Sequence, residues 1–163
     1  MRAIADTSTL IFLARLGRLG ILKRFRPLTT TEAVVREVQA GSVRHDQTVR
    51  LITEYLATAK VRIRKVNPPS DWLPNLGAGE QSILFVGRKE RTSLLLIDEE
   101  RARQIARAMG LQVRSALVLL VDECRARRLS RAEFETALDG LLAANYYVHP
   151  RVVEAARRLL PPS

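Results

Sequence analysis

The stretch Ala3-Ile4-Ala5-Asp6-Thr7-Ser8 decides the fold, because a short apolar run delivers a carboxylate and then at once offers hydroxyls of the helix-capping kind. The next residues, Leu10, Ile11, Leu13 and Ala14 with Leu16 and Gly17 behind them, have helical spacing and a glycine stop. The reading is strand, acid, helix, with Asp6 where the carboxyl end of a strand meets the amino end of a helix. In open α/β sheets that edge is where ligands bind. An aspartate there also caps a helix without any ligand, since its carboxylate satisfies free N–H groups. The stretch alone leaves both roles open.

The same logic returns further on. Ser93-Leu94-Leu95-Leu96-Ile97 is a continuous apolar run ended by Asp98-Glu99-Glu100, the pattern of a fully buried parallel strand. A helix carrying Ala102, Ile105, Ala106 and Met109 follows and stops at Gly110. Between the two units, Pro27 suggests a strand end near Leu28, and Thr29 with Glu32 has capping-box spacing for a helix bearing Ala33, Val34 and Val38. Glu37 falls at the margin of that buried face, where a solvated surface glutamate is the ordinary outcome. Asp46 to Ala59 reads as an amphipathic helix. Val61, Ile63 and Val66, alternating with basic residues, read as a strand with one wet face. The segment from Asn67 to Asn75, around Trp72, is a surface connection.

Gly77-Ala78-Gly79-Glu80 opens a helix through Ile83, Leu84 and Gly87, where an acid in the first turn compensates the macrodipole. Leu111 to Arg114 is short enough for one more strand. Ser115 can cap the apolar helix that follows, Ser130 with Glu133 forms a capping box, and a last helix carries Val152, Val153, Ala156 and Leu159. Alternating strands and helices predict an α/β fold, a three-layer α/β/α sandwich around a mainly parallel sheet. A chain of 163 residues suits one domain, residues 1–163.

Charge and composition bound the function. A net charge of +10 favours polyanions, nucleic acid first among them, although a merely soluble arginine-rich protein has the same balance. No apolar run is long enough to span a bilayer and no secretory signal is evident, so neither a membrane nor an export role is expected. Cys124, the sole cysteine, lies on an apolar stripe, reads as a core residue and fits a reducing, cytoplasmic setting. His45 and His149 belong to no metal-ligand pair, which argues against zinc. Two acids at strand ends and two at or near helix starts could instead converge on one cleft. Their repulsion would be relieved by a hard divalent cation held by oxygens.

The ordered set Asp6-Thr7-Ser8, Glu37 in Val34-Val35-Arg36-Glu37-Val38, Gly79-Glu80-Gln81-Ser82-Ile83 and Leu96-Ile97-Asp98 resembles the PIN-domain nucleases over essentially the whole chain. That family includes toxin ribonucleases of prokaryotic toxin–antitoxin pairs. The Gly79-Glu80 helix start and the segment from Asp98 to Arg103 are most similar to an uncharacterised branch. The resemblance implies a metal-dependent endoribonuclease, with Asp6, Glu37, Glu80 and Asp98 as catalytic residues holding Mg2+ or Mn2+. It implies supporting or substrate-binding roles for Ser8, Arg103 and Ser115, with pairing to Glu99 or Glu100 as the alternative for Arg103. The branch usually carries a glycine-rich turn where this chain has Arg114-Ser115-Ala116-Leu117. RNA is the implied partner; a small antitoxin protein and a second copy of the chain are left open.

A haloacid-dehalogenase-like phosphatase would need an acid two residues after Asp6, where Ser8 stands. A non-catalytic RNA- or protein-binding module with the same fold is the alternative that four acids do not exclude. If four carboxylates crowd one metal site, neutralising Asp98 to Asn should stabilise the metal-free chain.

Overall fold

Apolar runs that end on an acid suit strands buried on both faces, and the two runs of that kind occupy the middle of the sheet. The computed structural model describes residues 1–41, 46–69, 72–90 and 94–162. His45, Ser93 and the Ser70-Asp71 pair of the surface connection lie outside the described residues. The elements are β1 (Ala3–Ala5), α1 (Thr7–Arg15), a 3-10 helix (Leu19–Arg24), β2 (Leu28–Thr31), α2 (Glu32–Ala40), α3 (Asp46–Thr58) and β3 (Arg62–Arg64). They continue with α4 (Ala78–Lys89), β4 (Leu94–Leu96), α5 (Glu100–Ala108), β5 (Val113–Arg114), α6 (Ala116–Arg125), α7 (Arg131–Ala143) and α8 (Pro150–Arg158).

The five strands form one sheet in the order β3-β2-β1-β4-β5, and every pairing is parallel. Helices cover it as a three-layer α/β/α sandwich. The chain winds outward from β1 in one direction to β3 and then crosses to β4 on the other side, so the order reverses between β1 and β4. A crevice at the carboxyl ends of the strands is expected at such a reversal. Asp6 follows β1 and Asp98 follows β4, so the topology delivers one acid to each side of it.

Burial explains why these two strands are central. Ile4, Leu95, Leu96 and Ile97 are wholly enclosed, each stabilising the fold by about 1.5–3 kcal/mol through removal from water. Helix α4 lies close on β4 because position 87 is glycine: a Cβ there would stand 2.8 Å from the Leu95 side chain. The edge strand β3 departs from the expected one-wet-face pattern. All three of its residues are exposed, Ile63 included.

The capping expectation at β2 is corrected too. Thr29 is a buried strand residue, and Thr31 caps α2 by accepting from the Val34 N–H. The Ser130–Glu133 box forms as read, with reciprocal bonds of 3.2 and 2.8 Å. Ser115 caps α6 through the Val118 N–H. Away from the crevice, Glu123 on α6 accepts from Arg24 at 2.5 Å and from Arg128 at 2.8 Å. The neighbouring Asp122 pairs with Arg24 and Arg114. This network ties α6 to the 3-10 helix and to β5. Among the described residues no helix is long and apolar enough to cross a membrane.

Candidate active site

Asp6 is 2 % exposed. One carboxylate oxygen, Oδ2, accepts from the Ser8 hydroxyl at 2.9 Å and, at 3.4 Å, from the Ser8 N–H at the start of α1. The other, Oδ1, is buried with no hydrogen-bond partner among the described residues. Both roles read from the sequence therefore coexist: one oxygen caps the helix and the second is left over. Burial pushes the carboxyl up to about 7, with Glu80 and Glu37 adding in the same direction and the bonds from Ser8 and Thr7 opposing.

Glu37 reaches inward from α2 and is held on both oxygens. The Thr7 hydroxyl donates to Oε2 at 2.6 Å and the Gly79 N–H donates to Oε1 at 2.6 Å. The second bond requires glycine, since a Cβ on residue 79 would fall 2.8 Å from the Glu37 carboxyl carbon and closer still to an oxygen. Glu80 folds back over its own helix start and accepts from the Gly77 N–H at 2.8 Å. A Cβ on Gly77 would touch both acids, 3.4 Å from Glu37 and 3.5 Å from Glu80. Burial also raises Glu80, helped by Glu99 and Glu37 and opposed by the Gly77 bond and the Arg101 cation. Asp6, Glu37 and Glu80 thus act on one another electrostatically, as carboxylates brought to one cleft do.

Asp98 is placed differently. Its Oδ2 accepts from the Thr9 hydroxyl at 2.5 Å and its Oδ1 from the Ala116 N–H at 2.7 Å. Desolvation still raises this carboxyl, opposed by Thr9, the Ala116 N–H, the nearby Tyr146 phenol and Arg103. A carboxylate has about four lone-pair sites, so both oxygens are engaged but not saturated. Ser8 joins the two strand-end acids, because its hydroxyl donates to Asp6 and accepts from the Asp98 backbone N–H at 3.2 Å.

Of the supporting positions, Arg103 pairs with Glu100 and donates to the Asp98 carbonyl at 2.8 Å, while Glu99 caps α5. The Arg103 Nε is buried without a partner among the described residues. Ser115 caps α6 and lies near the Tyr146 phenol. Thr7, Thr9, Gly79 and Tyr146 were not singled out by sequence reasoning. The Thr-Ser-Thr run after Asp6 could have flagged two of them, and nothing local flags Tyr146, whose phenol is pushed up by burial and by Asp98.

The donor set suits a hard divalent cation: oxygens only, a buried acid with an orphan atom, and two further carboxylates that raise its proton affinity. As the side chains stand, no three acidic, histidine or cysteine groups among the described residues are gathered as metal ligands.

Residues 2–161 match the family profile DUF3368, described as a PIN domain. Among solved structures, the chain is similar to a PilT N-terminus domain protein from the hyperthermophilic archaeon Sulfolobus solfataricus P2. The two share 18 % identity over 75 % of this chain and 92 % of that one, with a TM-score of 0.56. A domain of a functionally unknown protein from Methanocaldococcus jannaschii DSM 2661 matches at 20 % identity, 71 % and 91 % coverage and a TM-score of 0.46. No curated protein matches.

Proposed function

Since the chain belongs to the PIN-domain family, whose members are generally nucleases, we propose that it is a divalent-metal-dependent endoribonuclease. The observation that carries the proposal is the Asp6 carboxylate, buried with one unpartnered oxygen beside Glu37 and Glu80. A buried acid left half-satisfied is costly, and the cost is offset when a cation takes the free oxygen. We assign Asp6, Glu37, Glu80 and Asp98 as the residues that hold Mg2+ or Mn2+. Bound there, such an ion supplies charge stabilisation to a scissile phosphate and lowers the pKa of a coordinated water.

The chain's own groups do the positioning. Ser8 aims Asp6, Thr7 and Gly79 fix Glu37, and Thr9 and the Ala116 N–H hold Asp98. Arg103, beside Asp98, and Arg101, close enough to lower the Glu80 carboxyl, are the cations we assign to substrate phosphate. The net charge of +10 favours the RNA strand as a whole. A toxin role in a toxin–antitoxin pair is the wider form of the proposal, and a neighbouring small reading frame whose product blocks cleavage would support it.

One observation favours a second reading, a PIN-fold binding module without turnover: among the described residues the acids are not gathered as a ligand set, and both Asp98 oxygens already accept hydrogen bonds. Cleavage of a labelled RNA by purified protein separates the two. Under the nuclease reading Mg2+ or Mn2+ is required and Asp6→Asn abolishes cleavage while the far-UV spectrum is unchanged. Cleavage that persists both in chelator and in Asp6→Asn would overturn it. RNA binding without metal-dependent cleavage would leave the binding module.

A further inference from the structure

At the amino end of β2 and β3, opposite the acidic crevice, the 3-10 helix, α3 and the two strand starts enclose a cavity of about 740 Å3. Its floor is apolar, with Leu22, Phe25, Leu28 and Ala59, and its mouth carries Lys23, Arg26, Lys60 and Arg62. All four cations are exposed, and none forms an ion pair among the described residues. No acid among the described residues lines the cavity. Elsewhere Arg18, Arg24, Arg103, Arg114, Arg128 and Arg157 are paired with carboxylates, whereas these four cations share one mouth with no acid between them.

Two further observations set this cavity apart. Tyr55, on its wall, is 8 % exposed, and its hydroxyl is buried with no hydrogen-bond partner among the described residues. A buried hydroxyl left unpaired is unfavourable. Lys60 adopts φ +53° in the turn after α3. Glycine would hold that left-handed conformation without strain, yet the position carries an ammonium.

We propose that this cavity is a binding site for a small organic phosphate, of the mononucleotide class, separate from the acidic crevice. Four unpaired cations at one mouth match a ligand bearing two or more negative charges. Arginine forks and lysine point charges both suit phosphate oxygens. The apolar floor accommodates the uncharged part of the ligand, and the volume lies within the range of small-molecule sites, roughly 300–1,000 Å3. The Tyr55 side chain contributes to the wall. The site does not depend on nuclease activity.

The test is calorimetric titration in excess chelator, in an Asp6→Asn background, with a nucleoside 5′-diphosphate, the unphosphorylated nucleoside and inorganic phosphate as separate probes. The diphosphate should bind, phosphate more weakly, and the nucleoside weakest. Lys60→Gly relieves a local backbone penalty, so it should melt at or above the parent temperature while losing affinity several-fold. An Arg62→Gln, Lys60→Gly pair should lose about tenfold or more. Absence of diphosphate binding at millimolar concentration overturns the proposal, as does binding that is unchanged in these variants. Binding of an uncleaved RNA strand at this mouth without binding of the diphosphate also overturns it and makes the patch a nucleic-acid contact.

Discussion

Replacing Asp6 by asparagine separates a half-satisfied acid from an ordinary helix cap, and the size of the effect follows from the burial of its carboxylate. The folded value stands at about 7 against 3.8 for the free side chain. The folded chain therefore binds this proton more tightly than the unfolded chain does. Stability is full below the unfolded value, falls as pH climbs from there, and carries the whole penalty once pH exceeds about 7. Integrating between those two values, the metal-free wild type should lose roughly 3 kcal/mol from about pH 5 to about pH 8 on account of this group. Asparagine has no charge to desolvate, so the variant lacks that loss, whatever constant offset its amide introduces. The difference in melting temperature should widen in the variant's favour by roughly 6 to 12 °C over that interval for a chain of this length. The assay is thermal melting of both proteins in chelator at the two pH values, then with excess manganese at the higher one. Manganese should raise wild type and leave the variant nearly unmoved, because a ligand specific to the folded state stabilises by mass action. A gap that stays constant or narrows with rising pH would refute the reasoning and leave Asp6 as a cap alone.

Asp98→Asn should lower stability by about 1–3 kcal/mol in chelator, because an amide nitrogen would face the N–H or hydroxyl donors that now meet a carboxylate; denaturant titration reads it. That reverses the sequence-based expectation of a gain. Gly79→Ala should keep its circular-dichroism spectrum but lose about 10–100-fold in manganese affinity or cleavage, since displacing Glu37 disturbs a positioned ligand; unchanged activity would show that Glu37 has no role in turnover. RNA affinity, measured on Asp6→Asn to prevent cleavage, should fall steeply as salt rises, because phosphate contacts release counterions. A flat response would place recognition on uncharged groups.

The strand–acid–helix units at Asp6 and Asp98 were legible because each is written in consecutive residues: an apolar run, a carboxylate, a helical stripe. The three threonines at 29–31 show where such reading fails. Threonine suits both a strand and an N-cap, so the capping-box spacing pointed to Thr29, whereas pairing with β1 and β3 carries the strand on to Thr31. The exposed β3 could not be read because alternation reports a pattern of side chains and not whether a layer exists to cover them. At the site, the sequence marked the acids but not their partners. Thr9 meets Asp98 across 89 positions and Thr7 meets Glu37 across 30, distances over which no local periodicity carries information. Nor could spacing show that both Asp98 oxygens are bonded inside the protein while Asp6 keeps an oxygen free.

The Ser8 hydroxyl gives the crevice a direction. It has a single proton to give, and in the folded chain that proton points at the Asp6 carboxylate while the oxygen faces the Asp98 N–H. The arrangement is a one-way chain from the β4 backbone through a hydroxyl to the β1 acid. It is best satisfied when Asp6 is ionised, since charge-assisted bonds are roughly twice as strong as neutral ones. Protonation of Asp6 weakens the link, and loss of the hydroxyl removes it from both sides at once. The two central strands therefore sense the charge state of the crevice through one small side chain, and the polarity of that link is set by the main-chain N–H of Asp98, which cannot be reversed.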